Sequence, residues 1–192
     1  MEGIIPKESD FNLSKVKLSK SGGIQVEYQL TQVVGDETSV VDRTETCTRD
    51  VHPDLLALFE DLRIIVGRTF GITSFLTLVE ADDFKLPEAK KLQAREFAEG
   101  LLQKIDVRGV SWSGTAESVG VVITAIFETS NGLKTAINTP RIKLAQISFG
   151  FEEELENITD AIKAEVYAYL FKGKQAQLSL FGADGNDAEG QE

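Results

Sequence analysis

Ile24-Gln25-Val26-Glu27-Tyr28-Gln29-Leu30-Thr31 alternates without a slip, with Ile24, Val26, Tyr28 and Leu30 on one side and Gln25, Glu27, Gln29 and Thr31 on the other. A period of two predicts a strand with one buried face. Gly22-Gly23 before it and Gly35-Asp36 after it are turn signals. Upstream, Lys15-Val16-Lys17-Leu18 alternates in the same way, and downstream a third strand is expected from about Thr38 to Thr48. Pro53 then stands where the first turn of a helix accepts proline. Leu55, Phe59, Leu62 and Val66 recur at helical spacing until Gly67 to Gly71.

The same order of elements returns later. A strand is expected over Asp106 to Ser113, with a turn at Gly114. Val119, Val121, Ile123, Ala125 and Phe127 line one face of the next strand. Asn131-Gly132 is the signal of a type I′ hairpin, which needs positive φ at both central residues. Strand residues resume at Lys134 to Ile137, break at Pro140 and continue from Arg141 to Ile147. A helix with Phe151, Leu155, Ile158, Ile162, Val166 and Tyr169 on one face stops near Gly173. Between the two passes lie a short strand at Ser74 to Val79 and a helix opening near Pro87. The apolar stripe of that helix is Ala94, Phe97, Ala98, Leu101, Leu102 and Ile105.

The expected fold is therefore α+β: antiparallel sheet covered on one face by helices, with a strand-strand-strand-helix unit occurring twice about a pseudo-twofold axis. Duplication and two independent meanders both generate this pattern. Residues 1–13 are expected to form a flexible arm and 14–173 a single domain, with halves 14–72 and 106–173 joined by 73–105. Residues 174–192 are expected to form a disordered acidic tail: the last eleven hold no large apolar side chain and carry Asp184, Asp187, Glu189 and Glu192.

Composition removes many functions. The chain has 192 residues, a net charge of −11, one Cys and one His. A single Cys47 excludes an internal disulfide framework and Cys-based zinc sites, and a single His52 excludes multi-histidine metal sites. No apolar run reaches the ~18–20 residues that span a bilayer, and Met1 to Asp10 lacks the form of a secretory signal. A cytoplasmic protein without cofactor, metal or membrane association is expected. The acidic balance argues against whole-surface affinity for nucleic acid.

Residue constellations for catalysis are weak. Cys47 and His52 are five residues apart, about 15 Å in an extended chain, so pairing them requires a fold-back. Asp82-Asp83 and Glu152-Glu153-Glu154 sit at helix N-termini, where the macrodipole favours negative charge, and Glu60-Asp61 lies mid-helix near Arg63. The glycine pairs are hairpin turns without the following helix that a phosphate loop needs. No catalytic residues are assigned. For nucleic acid the candidates are Lys15, Lys17, Lys20, Lys134, Arg141 and Lys143. Tyr28, Trp112 and Phe127 are candidate stacking surfaces, although alternation turns Tyr28 and Phe127 toward a core.

The tail carries the most specific signal. Gln177-Leu178-Ser179-Leu180-Phe181 follows the last helix directly. It resembles the pentapeptide by which many bacterial replication and repair proteins dock onto the DNA polymerase sliding clamp: Gln-Leu, then Ser or Asp, then Leu-Phe. All five positions match. From average residue usage, such a match arises by chance in about 4 of 10,000 chains of this length. The resemblance covers these five residues and their tail setting. It implies that Gln177 fills a polar subsite, that Leu180 and Phe181 enter the main apolar pocket, and that Ser179 is a spacer. A fold-back of Leu178, Leu180 and Phe181 onto the domain's own helices is the alternative.

The expected function is a non-enzymatic accessory of DNA replication, recombination or repair whose partner is the bacterial sliding clamp. A small acidic chain of this kind resembles phage- or prophage-encoded proteins. The alternative is a single-stranded nucleic-acid-binding protein with an acidic, partner-recruiting tail.

Overall fold

A computed structural model describes residues 5–34, 37–72, 87–115, 118–145 and 150–174. The strands are β1 (Phe11–Leu18), β2 (Ile24–Val34), β3 (Glu37–Cys47), β4 (Ile105–Ser113), β5 (Gly120–Glu128), β6 (Lys134–Asn138) and β7 (Ile142–Lys143). The described helices are α1 (Pro53–Thr69), α2 (Glu88–Gln103) and α3 (Glu152–Phe171), after a short 3-10 turn at Glu8–Asp10. The strands form one antiparallel sheet in the order β3-β2-β1-β4-β5-β6, with β7 also paired to β5.

That order is the one a pseudo-twofold axis generates. The axis passes between β1 and β4, where Val16 faces Val110, flanked by Lys15 opposite Ser111 and Lys17 opposite Gly109. Each central strand carries one bulge at the same place: Ser14 is the extra residue of β1 and Arg108 that of β4. Around the axis Phe11 corresponds to Ile105, Leu13 to Val107, Val16 to Val110 and Leu18 to Trp112. In the neighbouring strands Ile24 corresponds to Val121, Val26 to Ile123, Tyr28 to Ala125 and Leu30 to Phe127. Helical positions correspond too: Leu55 with Leu155, Leu62 with Ile162 and Val66 with Val166, all buried. The α+β class stands as expected.

Helices α1 and α3 pack against each other and cover one sheet face. The core lies between: Leu13, Val16, Ile24, Val26, Val110, Val121 and Ile123 from the strands meet Leu55, Phe59, Leu62, Ile65, Leu155 and Ile162 from the helices. The opposite face is open, because the alternate residues Lys15, Lys17, Gln25, Glu27, Ser111 and Thr124 point away from both helices.

Several boundaries differ from expectation for physical reasons. Strand β1 begins at Phe11, and Leu13 is 2% exposed, so the ordered body starts before residue 14. The bulge at Ser14 moves the buried positions from odd to even, and simple alternation therefore stops at Lys15. Phe11 packs against Tyr28, Tyr167 and Phe171, and the Tyr167 hydroxyl donates to the Pro6 carbonyl, so part of the expected arm is tied down. The turn after β5 is not type I′, since Gly132 has φ +80° and Asn131 does not have positive φ. Gly132 N–H donates to Thr129 O and Thr129 N–H to Leu133 O, a tight turn closed by one left-handed glycine. The β1–β2 connection repeats it, with Gly22 N–H to Ser19 O and Ser19 N–H to Gly23 O. Gly23 is constrained by contact: a Cβ there would lie 1.9 Å from the Cys47 carbonyl oxygen.

The expected stripe on α2 is mostly outside the core. Ala98 is buried and Leu102 packs at the core's edge, but Phe97 is 64% exposed and Ile105 begins β4. This helix belongs to the segment between the halves and touches α1 and β4 over a narrow strip. The expected strand at Ser74 to Val79 lies outside the described residues. The second edge is broken, as Pro140 suggested: β6 ends at Asn138, Thr139 N–H donates to Ile123 O, and β7 resumes at Ile142.

Candidate functional site

At one end of the open face a hollow of about 850 Å³ is lined by Leu18, Lys20, Gln103, Lys104, Asp106, Arg108, Ile126, Glu128 and Lys134. Its cations come from four separate places. Lys20 sits in the β1–β2 turn, Lys104 at the C-cap of α2, Arg108 at the β4 bulge and Lys134 at the start of β6. The link between β5 and α2 helps bring them together, with Glu128 N–H donating to the Lys104 carbonyl.

Arg108 pairs with Asp106, and Lys134 lies 3.3 Å from Glu128. Among the described residues, neither Lys20 nor Lys104 has a carboxylate partner. The Arg108 Nε is buried and without a hydrogen-bond partner. Lys17 extends this charge across the face: its Cγ lies where a Cβ on Gly109 would be only 3.0 Å away, so the stem crosses β4 at its glycine. Four cations against two carboxylates leave this hollow positive on a chain of net charge −11, a local anion-attracting field against the global one.

The six expected nucleic-acid residues divide. Lys20 and Lys134 enter the hollow. Lys17 is exposed on the adjoining face, while Lys15 is held by Glu27 at 2.6 Å. Arg141 instead braces the β4–β5 connection. It donates to Ser113 Oγ at 3.0 Å, to Ser113 O at 2.8 Å and to Ser118 O, and glycines at 114 and 120 leave it room. Lys143 is exposed on β7, opposite Gly120, and does not line the hollow. Sequence reading missed Lys104 and Arg108, the first because a helix end and a strand start had to meet, the second because a bulge re-aims it. A basic residue amid the irregular alternation of Ile105 to Trp112 was the available signal.

The expected stacking residues belong elsewhere. Tyr28 is buried and donates its hydroxyl to Glu45; burial, then that hydrogen bond, pushes its phenol far above the usual range. Phe127 packs at the core, and Trp112 turns to the helix side, where the Lys163 ammonium lies 5.7 Å from its ring centroid.

Other chemical groups are engaged structurally. Burial, then Glu45, raises the Cys47 thiol above its ordinary value, which disfavours a thiolate nucleophile. His52 caps α1 by accepting from the Asp54 N–H at 3.3 Å. His52, Asp54 and Glu165 lie close enough to share a cation, and the Lys174 ammonium supplies one, at 2.7 Å from Asp54 and 2.8 Å from Glu165. The hydrogen bond from Lys174 holds the Asp54 carboxyl below its ordinary value, and the bond to Asp54, then that to Glu165, raises the ammonium. Glu154 pairs with Arg68 and Glu152 is buried, whereas Asp82 and Asp83 lie outside the described residues.

Residues 177–181, which were expected to dock on the clamp, also lie outside the described residues. What precedes it is clear: α3 ends at Phe171, Gly173 adopts φ +69°, and Lys174 is clamped to α1 and α3. No described helix is long and apolar enough to cross a membrane. The chain matches no family model, no curated protein and no solved structure.

Proposed function

We propose that this chain is a non-enzymatic accessory protein of DNA replication, recombination or repair that docks on the bacterial DNA polymerase sliding clamp through Gln177, Leu178, Ser179, Leu180 and Phe181. One observation carries the reading: five residues agree with the clamp-docking pentapeptide at every position, beginning three residues after Lys174. The arrangement suits a tether. Lys174, the last described residue before the peptide, is held to the helical layer by Asp54 and Glu165.

Three apolar side chains buried in a groove contribute about 1.5–3 kcal/mol each, and ordering the peptide removes much of it, so affinity is about micromolar. Titration of a peptide spanning 174–192 into purified clamp tests this by calorimetry. Saturable binding that disappears with Leu180→Ala and Phe181→Ala is expected. No heat at high micromolar clamp overturns it.

A second reading, a single-stranded nucleic-acid-binding protein whose acidic tail recruits partners, is favoured by the basic hollow on the open face. The two are compatible, since a clamp-tethered protein works beside DNA. Salt-sensitive retention of an oligonucleotide tests it, and no retention at low salt with residues 182–192 removed overturns it.

A further inference from the structure

We infer that the hollow formed by Lys20, Lys104, Arg108 and Lys134 holds the phosphodiester backbone of a single nucleic-acid strand, which runs onto Lys17, without reading its sequence. The inference rests on the strand-binding reading and gives it an address, a chemistry and a limit.

The pseudo-twofold axis provides an internal control. It carries the hollow onto a second one of about 490 Å³, lined in part by Asn12, Ser14, Gln29, Trp112 and Gly114. There Ser14 stands for Arg108, Asn12 for Asp106, Gln29 for Ile126 and Gly114 for Lys20. The same backbone thus folds with Ser14 and Gly114 in one half where the other carries Arg108 and Lys20; the cation that lines this second hollow, Lys163, comes from α3. Sheet, bulge and turn do not require Arg108 or Lys20. Arg108 and Lys20 are therefore additions to the fold; each hollow holds one buried donor without a partner, Arg108 Nε in the first and Trp112 Nε1 in the second, but the first also holds two lysines without a carboxylate partner. An anion supplied from outside gives the two lysines their counter-charge, because ammonium donors pair strongly with phosphate oxygens.

A strand fits better than an isolated phosphate. The cations are spread over four elements around an open depression rather than converging on one point, and Lys17 continues the charge along the face. The limit follows from what is missing. Among the described residues the open face shows no aromatic side chain, since Tyr28, Trp112 and Phe127 all turn to the helix side. Without stacking platforms, affinity comes from counterion release and bases go unread.

The test uses the full chain, a fluorescein-labelled oligothymidylate and anisotropy across a salt series. Four to five phosphate contacts predict a slope of log K against log salt of about −3. Lys104→Ser with Arg108→Ser is expected to weaken binding at least tenfold and flatten the slope by about 1.4. Lys20→Ser with Lys134→Ser, on exposed positions that leave folding intact, is expected to do the same. Asn12→Ala in the second hollow is expected to change nothing, and a mixed-base oligonucleotide to bind within threefold of oligothymidylate. If the wild type binds and both double variants bind equally well, the hollow is not the site, while the strand-binding reading survives. If the wild type does not bind even without residues 182–192, the strand-binding reading falls and this inference with it. Displacement of the oligonucleotide by submillimolar inorganic phosphate, beyond the effect of matched ionic strength, would replace the strand with a discrete anion site.

Discussion

The bulged residue of the central strand is Ser14 in the first half and Arg108 in the second, and the two side chains solve different problems on the same backbone. Ser14 Oγ donates back to the Glu27 carbonyl and closes the sheet on itself; Arg108 faces a hollow with Lys20, Lys104 and Lys134. The buried sides of the halves correspond position by position and the open sides do not. Packing constrains volume and apolarity at the core, whereas a solvated face carries whatever charge is placed on it.

The edges differ as well. β3 runs unbroken for eleven residues, whereas the opposite edge is divided into β6 and β7. At the division Thr139 Oγ1 accepts the Ile123 N–H, and Arg141 ties the edge to the β4–β5 connection. An interrupted ladder loses hydrogen bonds that side chains then supply.

The strongest test of the equivalence truncates corresponding core residues. Leu62 and Ile162 are both fully buried, so Leu62→Ala and Ile162→Ala are each expected to cost about 2–5 kcal/mol in urea unfolding followed by the lone Trp112. Similar losses sharpen the correspondence; a half that tolerates truncation breaks it.

Arg141→Ala comes next, at about 1–2 kcal/mol from its hydrogen bonds. Oligonucleotide affinity should not move. A fall in affinity without a fall in stability would return Arg141 to the binding surface. Arg108→Ser makes the second half like the first and is expected to leave stability within about 0.5 kcal/mol, because removing a buried unpaired donor offsets the lost Asp106 contact. A loss above that range would make Arg108 a folding residue.

The smallest effect concerns the joint between the halves. Asp54 at the start of α1 meets Lys174 beyond α3, its carboxyl held below the ordinary 3.8. A depressed carboxyl contributes above its unfolded value and loses that contribution as pH falls through its folded one. The raised Lys174 contributes below its ordinary 10.5 and loses that contribution as pH rises through its higher folded value. Lys174→Ala should therefore lower the melting temperature slightly and evenly at neutral pH, with the difference shrinking as pH falls below about 3.8 and gone below the lower folded value of Asp54. A difference that persists in acid would assign the effect to packing of the lysine stem.

Much of the fold was legible because alternation is a local property. Ile24 to Leu30 and Val121 to Phe127 report their buried faces without knowledge of neighbours. Phe11 and Leu13 escaped because one bulged residue reverses parity, and the stripe on α2 misled because apolar spacing does not say whether a partner surface exists. Half of the hollow was legible as single basic residues. Lys104 and Arg108 were not, since their nearness to Lys20 and Lys134 depends on strand order.

The amino-acid sequence by itself determined the strand and helix types and the doubled order of elements, and it carries the resemblance of 177–181 to a docking motif, for these depend on residues adjacent in the chain. Only the tertiary structure decided that two meanders join through Val16 and Val110, that the bulges coincide, and that Arg141 belongs to the scaffold. It also decided that four distant cations share one depression. Side-chain convergence is set by register and strand order, and those are fixed by burying both halves under one pair of helices.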